Sequence, residues 1–221
     1  MNKQKWWQWV WQNTEGTYYA VDKRRGYQVV KNYFGENYSG TLVSDCWSAQ
    51  NNTLATAGHQ LCHAHLLRDL IFCIDTEKSK WAYEMKVFLQ SSEKARDHIW
   101  KDGFDPAVCA SVLRQYNNRL THLITHAIQG TESCKLQKRF KKHQEKILHF
   151  MTQSDIPFHN NASEQAVRQA KVKKKVSGCF RSEAGAKRHA TLLSIIETCK
   201  KRNMDVFGSL KLLFQGELVW G

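Results

Sequence analysis

The sequence predicts an α/β fold in which a short region of strands precedes a long region of helices. Segments rich in aromatic and β-branched residues, separated by turn residues, lie near the amino terminus at residues 6–11, 17–22 and 28–33. From residue 60 onward, apolar residues recur mostly at helical spacing. No internal repeat or low-complexity linker interrupts the chain, so we expect one contiguous unit.

The charge of the chain favours a polyanionic partner. Its 33 Lys and Arg residues outnumber its 20 Asp and Glu residues, which gives a formal net charge of +13, and 42% of its 221 residues are hydrophobic. A chain of this size and composition can bury a substantial core, so we expect a globular protein. Nucleic acid is the leading class of partner, although solubility alone could account for part of the surplus.

Cysteine usage and hydropathy indicate the compartment. The seven cysteines are scattered without a Cys-x-x-Cys pair, and their odd number argues against a secreted disulfide framework. The amino terminus has an aromatic run but no apolar segment of the signal-peptide type, and no run of about 18 apolar residues predicts a membrane span. We therefore expect a soluble, cytoplasmic protein with reduced thiols.

Asp45 is the first candidate catalytic residue. A loop or single helical turn is predicted near residues 33–40, and a compact apolar strand follows at residues 41–43 and stops at Ser44-Asp45. Ligand crevices in open α/β sheets form where loops leave the carboxyl ends of strands, so an acid in this position suits a site. Asp45 could equally end the strand and cap the segment that follows.

The middle of the chain is predicted to be helical. Helices are expected at residues 60–75, at 81–101, from Pro106 to about residue 129, and in a basic amphipathic segment at 136–151. His59, Cys62 and His65 invite a zinc interpretation. They lie three residues apart with no second pair of ligands at finger-like spacing, so packing or hydrogen bonding is favoured over metal binding.

Residues 159–175, HNNASEQAVRQAKVKKK, place one acid among paired amides and a run of cations. In a helix that begins near Asn161, at about 100° per residue, one face carries Glu164, Arg168, Lys171 and Lys175, and the opposite face carries Ala162, Ala166 and Ala170. Glu164 is therefore the second candidate catalytic residue. The alternative is a capping box, in which Asn161 caps the helix and Glu164 reaches back to it.

A basic segment follows Glu164 and is typical of a surface that contacts phosphates. Its cations are interrupted by a turn at Ser177-Gly178 and by Phe180. With the charge surplus of the whole chain, nucleic-acid contact is favoured over a merely solvated helix face. Helices are predicted again at residues 190–199 and 204–214. The residues predicted to bind nucleic acid are Arg168, Lys171, Lys173, Lys174, Lys175 and Arg181.

Four blocks in this order resemble transposases of the insertion sequence 66 family: LVSDCWSA, QLCHAHLLRDL, FHNNASEQAVRQAKVKKKVSGCFRSEAGA and LLSIIET. The resemblance spans about residues 7–213. It implies an RNase H-like core with a helical insertion, and a DDE chemistry in which three carboxylates hold two Mg²⁺ ions that activate water or a 3′ hydroxyl for attack on DNA. By this resemblance, Asp45 matches the second acid and Glu164 the third, and both are expected to bind the metal within about 8 Å of each other.

Other positions match the family or depart from it. Asn160 and Asn161 match the amides ahead of the third acid and are expected to support it, and Cys62, His65 and Arg68 match a Cys-x-x-His-x-x-Arg block. By this resemblance, the strand that bears the first catalytic Asp of the family is expected to be missing from this chain, and Asp22 lies too close to Asp45 in sequence to replace it. His159 stands where the family usually has an acid. Two carboxylates hold a pair of ions poorly, so we expect weak Mg²⁺ binding.

The resulting prediction is a transposase fragment, inactive alone, with an RNase H-like core that is incomplete at its first strand. Its sheet part is assigned to residues 1–59, an all-helical insertion to 60–154, and the returning helices with the basic segment to 155–221. The expected partner is the DNA of transposon ends, with possible self-association and no membrane. The alternative is a DNA-binding remnant or interaction protein without catalysis.

Overall fold

The structure, a computed structural model, describes residues 5–35, 37–101, 105–178 and 180–217. Contacts divide the chain into two compact units, one made of residues 1–34 and 161–221 and the other of residues 35–160. This division by contact does not test the predicted domain boundaries. The fold is mixed α and β, with mostly helices and small sheets.

The elements follow one another as short strands and then long helices, in line with the predicted α/β order. They are β1 (Trp7–Gln12), β2 (Thr17–Asp22), α1 (Tyr27–Phe34), β3 (Asn37–Tyr38), β4 (Leu42–Ser44), α2 (Ser48–Asn51), β5 (Leu54–Ala55), β6 (His59–Leu61), α3 (His63–Glu77), α4 (Lys80–Lys101), α5 (Pro106–Thr125), α6 (Thr131–Lys142), α7 (Asn161–Ser177), α8 (Glu183–Lys201) and α9 (Val206–Gln215). Two single 3₁₀ turns, Gln144–Lys146 and His149–Met151, follow α6.

In the first unit, β1 and β2 form an antiparallel hairpin that packs on α7 and α8. The register pairs Trp7 with Asp22 and Gln12 with Thr17, and the predicted turn between the strands is confirmed. The hairpin face that carries Tyr19 and Val21 is buried against small side chains, which let the helices approach closely. These are Ala166 of α7 and Ala186 and Ala190 of α8.

Hydroxyl groups of α8 accept hydrogen bonds from the backbone N–H groups at the outer edge of β2. The backbone N–H of Tyr19 donates to Ser194 Oγ at 2.9 Å, and that of Thr17 donates to Thr198 Oγ1 at 3.1 Å. Ser194 and Thr198 lie four residues apart, so both face the same side of the helix. The phenol of Tyr19 donates to the carbonyl oxygen of Ala166 at 3.1 Å, and burial raises the pKa of Tyr19 to about 12. One strand is thereby tied to two helices.

Residues 28–33 are helical, so the strand predicted there is wrong. α1 buries two neighbouring residues, Val29 and Val30. Neighbours in a strand point to opposite faces, whereas a helix brings residues i and i+4 to one side. Tyr33 and Phe34, four residues further on, pack against Trp11 with ring centroids 6.3 and 6.0 Å away. The apolar set therefore forms one helical face, and tertiary packing overrides the β-propensity of Val and Tyr.

The second unit contains two parallel strand pairs. β4 pairs with β6, with Leu42 opposite His59 and Ser44 opposite Leu61, and β3 pairs with β5. The predicted helix at residues 60–75 is wrong at its start, because residues 60 and 61 belong to β6 and the helix begins at His63. The described residues hold strands only in pairs, and the RNase H-like core stays a prediction.

The helical core of the second unit lies among α3, α4, α5 and α6. Its fully buried members include Leu70, Met85, Phe88, Leu120 and Phe140. The indole N–H of Trp81 donates to the carbonyl oxygen of Leu123 at 2.7 Å, so this large side chain is buried with its donor satisfied. The starts predicted for α4 and for α5 at Pro106 agree with the structure, and α5 ends four residues before the predicted residue 129.

The last residue of α3 caps the amino terminus of α6. The Glu77 carboxylate accepts hydrogen bonds from the N–H groups of Glu132 and Ser133, at 2.8 and 3.0 Å, and from Ser133 Oγ at 2.7 Å. These N–H groups have no partner within the helix itself. The bond from the Ser133 hydroxyl is the largest of the causes that lower the pKa of Glu77. This distant cap lets the helix begin at Thr131, earlier than the predicted residue 136, and it ends at Lys142 instead of continuing to residue 151.

Buried polar side chains of β6 and α3 bind the segment that contains the two 3₁₀ turns. The Gln60 amide donates to the carbonyl oxygen of Ile147 at 3.0 Å and accepts from the N–H of Phe150 at 2.7 Å. The His63 ring lies 2.9 Å from Glu93 Oε1 and 2.9 Å from the same carbonyl of Ile147. His63 thereby links α3 to α4 and to the segment that contains Ile147.

His59 is buried and neutral. Its Nε2 lies 2.8 Å from Ser44 Oγ, and because that hydroxyl donates to the carbonyl oxygen of Asp45, it accepts from the Nε2–H of the ring. Burial, and then the positive charge of Lys146 and of nearby histidines, lowers the pKa of His59 from its usual 6.5 to about 3. The other ring nitrogen, Nδ1, has no hydrogen-bond partner among the described residues.

The described part of the chain contains no helix that is long and apolar enough to cross a membrane. Six of the seven cysteines are described, and all six are free thiols.

Replacing Lys201 should destabilise the first unit. Its ammonium group donates to Gln12 Oε1 at 2.8 Å and to the carbonyl oxygens of Asn13 and Gly16 at 2.6 and 3.1 Å, which ties the hairpin turn to the end of α8. We expect Lys201→Ala to lower the free energy of unfolding by about 1–3 kcal/mol, measured by urea denaturation. The matched control is Lys200→Ala, in which an exposed ammonium group loses only its pair with the half-buried Glu197, and the free energy of unfolding should change by less than about 0.5 kcal/mol. Equal effects of the two substitutions would contradict this role.

His59 should make the second unit less stable in acid. The unfolded chain takes up a proton near pH 6.5 and the folded chain only near pH 3, so stability is complete above pH 6.5 and falls as the pH drops through this window. The loss should approach about 1.4 kcal/mol per pH unit. His59→Gln keeps a donor for Ser44 but cannot titrate, so urea denaturation from pH 7 to pH 4 should show a shallower pH dependence for the variant. Identical pH dependence in both proteins would be evidence against a buried neutral His59.

Candidate functional site

Asp45 lies at the carboxyl edge of the β4–β6 pair. β4 ends at Ser44, and Asp45 follows in the loop before α2 with a half-buried side chain. Because β6 runs parallel to β4, Cys62 leaves the neighbouring strand at the same edge, and its N–H donates to the carbonyl oxygen of Ser44 at 2.7 Å. The predicted position of an acid directly after a strand is confirmed.

The neutral ring of His59 supports the backbone of the Asp45 loop through the hydroxyl group of Ser44. The Ser44 hydroxyl accepts from His59 and donates to the carbonyl oxygen of Asp45, so it links the buried ring to the loop that holds the acid. His149 packs over the backbone of Gly58, where φ is +120° and a Cβ atom would collide with the imidazole. This close approach, at a φ that favours glycine, fixes the turn into β6.

Asn160 reaches the same strand edge as Asp45. The N–H of Asn160 donates to Cys62 Sγ at 3.4 Å, and the N–H of His63 donates to the carbonyl oxygen of Phe158 at 2.8 Å. The segment 158–160 therefore lies along the end of β6. The side-chain oxygen of Asn160, Oδ1, is buried and accepts no hydrogen bond from the described residues. Asn160, an amide predicted to support the site, thus lies at the strand edge that carries Asp45, the predicted second acid.

His159 and Asn161 flank this contact. The ring of His159 packs beside that of Phe158 with centroids 4.3 Å apart, and His159 adds no carboxylate to the edge. Asn161 is the first residue of α7 and is exposed. It belongs to the first unit, as does Glu164.

Glu164 lies in the first turn of α7 and is half-buried. Two hydrogen bonds fix this turn on the hairpin: Gln12 Nε2 donates to Ser163 Oγ at 3.3 Å, and the Tyr19 phenol donates to Ala166. An acid in the first turn of a helix is favoured by the partial positive charge of the unpaired N–H groups there. The predicted helix start near Asn161 is confirmed, whereas the shared site of Asp45 and Glu164 stays a prediction because the two acids belong to different units.

The described residues contain no group of three or more His, Cys, Asp or Glu side chains that could hold a metal ion. For the zinc interpretation, His59 is engaged by Ser44 and Cys62 accepts from Asn160. Hydrogen bonding, the favoured role, accounts for both residues.

The exposed face of α7 carries cations in the predicted pattern. Arg168, Lys171 and Lys175 are exposed, and Ala166 on the opposite side is buried. Arg181, beyond the turn at Gly178, is also exposed. Ala162 was predicted on the buried face but is exposed. It lies at the start of α7, ahead of Ala166, which packs on the hairpin. The side chains of Ala170, Lys173 and Lys174 lie outside the described part of the structure.

The charge surplus is concentrated in the first unit. The residues of that unit include 18 Lys and Arg against 7 Asp and Glu, a surplus of 11, whereas the second unit has 15 against 13, a surplus of 2. Ordinary solubility would not require such an uneven distribution. The basic face of α7 therefore belongs to the unit that would attract a polyanion.

Sequence reasoning missed the contacts that arrange this edge. It placed Cys62 and Asn160 in separate motifs without pairing them, and it assigned no role to Ser44. The signal available in the sequence was only that each residue belonged to a distinct motif. Their separation of 98 positions leaves no local periodicity that could predict the contact.

Comparison with known proteins gives the ancestry of the chain. The family model described as "Transposase IS66 family", of the DDE group, matches residues 1–188. A protein of Sinorhizobium fredii (strain NBRC 101917 / NGR234) named "Uncharacterized protein y4jO" is 37% identical over 122 residues, which cover 51% of this chain. The same match covers 37% of the length of that relative.

No solved structure matches the chain. The family match covers more than four fifths of the sequence and contains Asp45, Asn160, Glu164 and most of the basic segment. The chain belongs to the IS66 family of transposases.

Proposed function

We propose that the chain takes part in DNA transposition, with the basic face of the first unit binding the DNA backbone and with Asp45 and Glu164 serving as two of the acids of a DDE site. The single observation that carries this proposal is the family match over residues 1–188. The residues proposed to contact DNA phosphates are Arg168, Lys171, Lys173, Lys174, Lys175 and Arg181.

The distribution of charge supports the DNA-binding part. The surplus of 11 positive charges in the first unit includes exposed cations along one side of α7 and beyond its end. Val172 and Val176 are exposed on the same helix, so no described residue covers its second half extensively. A rigid helix with an uncovered basic side suits the regularly spaced phosphates of a duplex.

Chain connectivity supports the catalytic part. Asn160 contacts Cys62 at the strand edge that carries Asp45, and four residues of chain separate Asn160 from Glu164. A chain of that length reaches at most about 14 Å even when fully extended. The covalent chain is therefore compatible with the proposed shared site. The RNase H-like core is proposed on the same ancestry.

The available side chains fit Mg²⁺ in chemical kind. Mg²⁺ prefers oxygen ligands, and Asp45, Glu164 and Asn160 offer two carboxylates and an amide oxygen. The Asn160 Oδ1 atom is buried without a donor among the described residues, which is the state expected of an atom that awaits a cation or water. When bound, the metal would stabilise the charge on the attacked phosphodiester. Asn160 would contribute its amide oxygen, and the Ser44–His59 pair would hold the Asp45 loop in place.

Two carboxylates are few for a pair of divalent ions, so the 221-residue polypeptide by itself is proposed to bind DNA without cutting it. The free thiols and the DNA partner fit a cytoplasmic location.

Neutralising the basic face should weaken DNA binding in a salt-dependent way. We expect combined alanine substitution of Arg168, Lys171, Lys175 and Arg181 to lower affinity for a 20-base-pair duplex. The slope of log affinity against log salt should flatten by about 0.9 for each lost phosphate contact. Fluorescence anisotropy between 50 and 300 mM NaCl measures both quantities.

The matched control for that experiment removes four exposed cations from the second unit. Alanine substitution of Lys80, Lys94, Arg114 and Lys138 changes the net charge by the same amount. If these substitutions flatten the slope equally, DNA responds to total charge and the α7 face is not the binding surface.

Asp45 and Glu164 should share one weak metal site. We expect titration with Mn²⁺, followed by electron paramagnetic resonance, to detect a site whose affinity falls about tenfold or more in both Asp45→Asn and Glu164→Gln. Each substitution removes one charged ligand and keeps the side-chain shape. Glu145→Gln, an exposed acid of the second unit, is the control and should have no effect. An effect of Asp45→Asn alone would separate Glu164 from the site.

The same proteins should show no strand cleavage on DNA that carries the ends of the element, with Mg²⁺ or Mn²⁺. Cleavage by the unmodified 221-residue polypeptide, abolished by Asp45→Asn, would prove that another group completes the site.

A further inference from the structure

The first unit has a second cationic feature that the α7 surface does not include. It lies at the end of the hairpin where β1 begins and β2 finishes. Exposed cations there accompany a pair of tryptophans, and the cluster consists of Lys5, Trp6, Trp7, Lys23, Arg24 and Arg25. We call this set the hairpin-end cluster.

Cations in the hairpin-end cluster lie over the faces of indole rings. The Arg25 guanidinium carbon lies 4.3 Å from the centroid of Trp7, and Lys23 Nζ lies 4.9 Å from the centroid of Trp6. Such contacts stabilise a cation near the surface without neutralising its charge. Arg24 is exposed, and its side chain makes no ion pair among the described residues. Arg24 therefore keeps a positive charge available beside aromatic surface.

Trp7 is the exposed end of a row of tryptophans. Trp7, Trp9 and Trp11 alternate along β1 and share one face of the hairpin. Trp9 is buried and stacks on Trp11 with ring centroids 5.7 Å apart, and Trp11 is covered by Tyr33 and Phe34 of α1. Trp7 keeps 36% of its surface exposed. Trp9 and Trp11 thus take part in packing within the first unit, whereas Trp7 lies at the exposed end of the row.

The hairpin-end cluster is continuous with the start of α8. Lys23 Nζ lies 3.4 Å from Glu183 Oε2, and Lys187 Nζ lies 2.8 Å from Glu183 Oε1. Glu183 is thereby matched by two cations, and the hydrogen bond from Lys187 is the main cause that lowers its pKa. Arg181 precedes this helix by two residues. Trp6 packs against the buried side chains of the first unit, so Trp7 is the tryptophan of the cluster that is exposed to nucleic acid.

We propose that the hairpin-end cluster binds an unpaired stretch of DNA, with Trp7 stacking on a base while Lys5, Arg24 and Arg25 contact the flanking phosphates. This inference rests on the DNA-binding role proposed above and adds a preference for single strands to it. Aromatic side chains beside cations bind single-stranded nucleic acid, because every base has a face that can stack and stacking tolerates any sequence. A duplex offers no such face along its length, so the basic face of α7 serves duplex contacts and Trp7 serves unpaired ones.

The test compares a fluorescein-labelled 20-nucleotide oligothymidine with a duplex of the same length, by fluorescence anisotropy with the full 221-residue chain. We expect Trp7→Ala to weaken binding of the single strand about tenfold and to change duplex binding less than about twofold. The salt dependence of single-strand binding should stay unchanged, because stacking releases no counterions. Trp7→Phe should restore most of the affinity. Trp7→Leu, which keeps apolar volume without an aromatic ring, should not.

Two controls separate stacking from damage to the fold. Phe207→Ala removes another exposed aromatic ring of the first unit and should leave both affinities unchanged. Arg24→Ala should flatten the salt slope for the single strand by about 0.7. Equal losses for single strand and duplex in Trp7→Ala, or full affinity in Trp7→Leu, would overturn the stacking site while leaving the DNA-binding role intact. Failure of the unmodified chain to bind either DNA would overturn both.

Discussion

The hydrogen bonds between the outer edge of β2 and the hydroxyl groups of α8 organise the first unit. A two-stranded hairpin is marginally stable alone, and its outer edge leaves backbone N–H groups without partners. Here Ser194 and Thr198 supply acceptors where a third strand would otherwise be needed. Because Tyr19 also bonds to the backbone of α7, the same strand positions Glu164 and the basic face.

In the second unit, polar groups are buried at the carboxyl ends of β4 and β6. Several of them form hydrogen bonds with residues that are distant in sequence. His59 stays neutral and supports Ser44, and Cys62 accepts from the backbone of Asn160. Buried networks of this kind rigidify what they satisfy. The loop of Asp45 gains a defined position, and among the described residues the Asn160 side-chain oxygen and His59 Nδ1 are left without hydrogen-bond partners.

The aromatic row of β1 combines buried packing with one exposed ring, the ring proposed to stack on an unpaired base. Trp11 packs against α1 and Trp9 is buried beside Trp11, whereas Trp7 lies at the exposed end of the hairpin. The period of two along a strand places all three rings on one face. Their exposures differ although the residue type is the same, because Trp9 is buried and stacks on Trp11, Trp11 packs against Tyr33 and Phe34, and Trp7 lies at the end of the row.

The sequence by itself determined the hairpin, the long helices, the basic side of α7 and the family, because each depends on a local period, a turn signal or a contiguous motif. Only the tertiary structure decided that residues 27–34 are helical, that Glu77 caps α6, and that Asn160 meets Cys62. Local propensities at these positions did not predict the helix, the cap or the contact. The deciding contacts join residues dozens of positions apart, and such pairs leave no periodic signal along the chain.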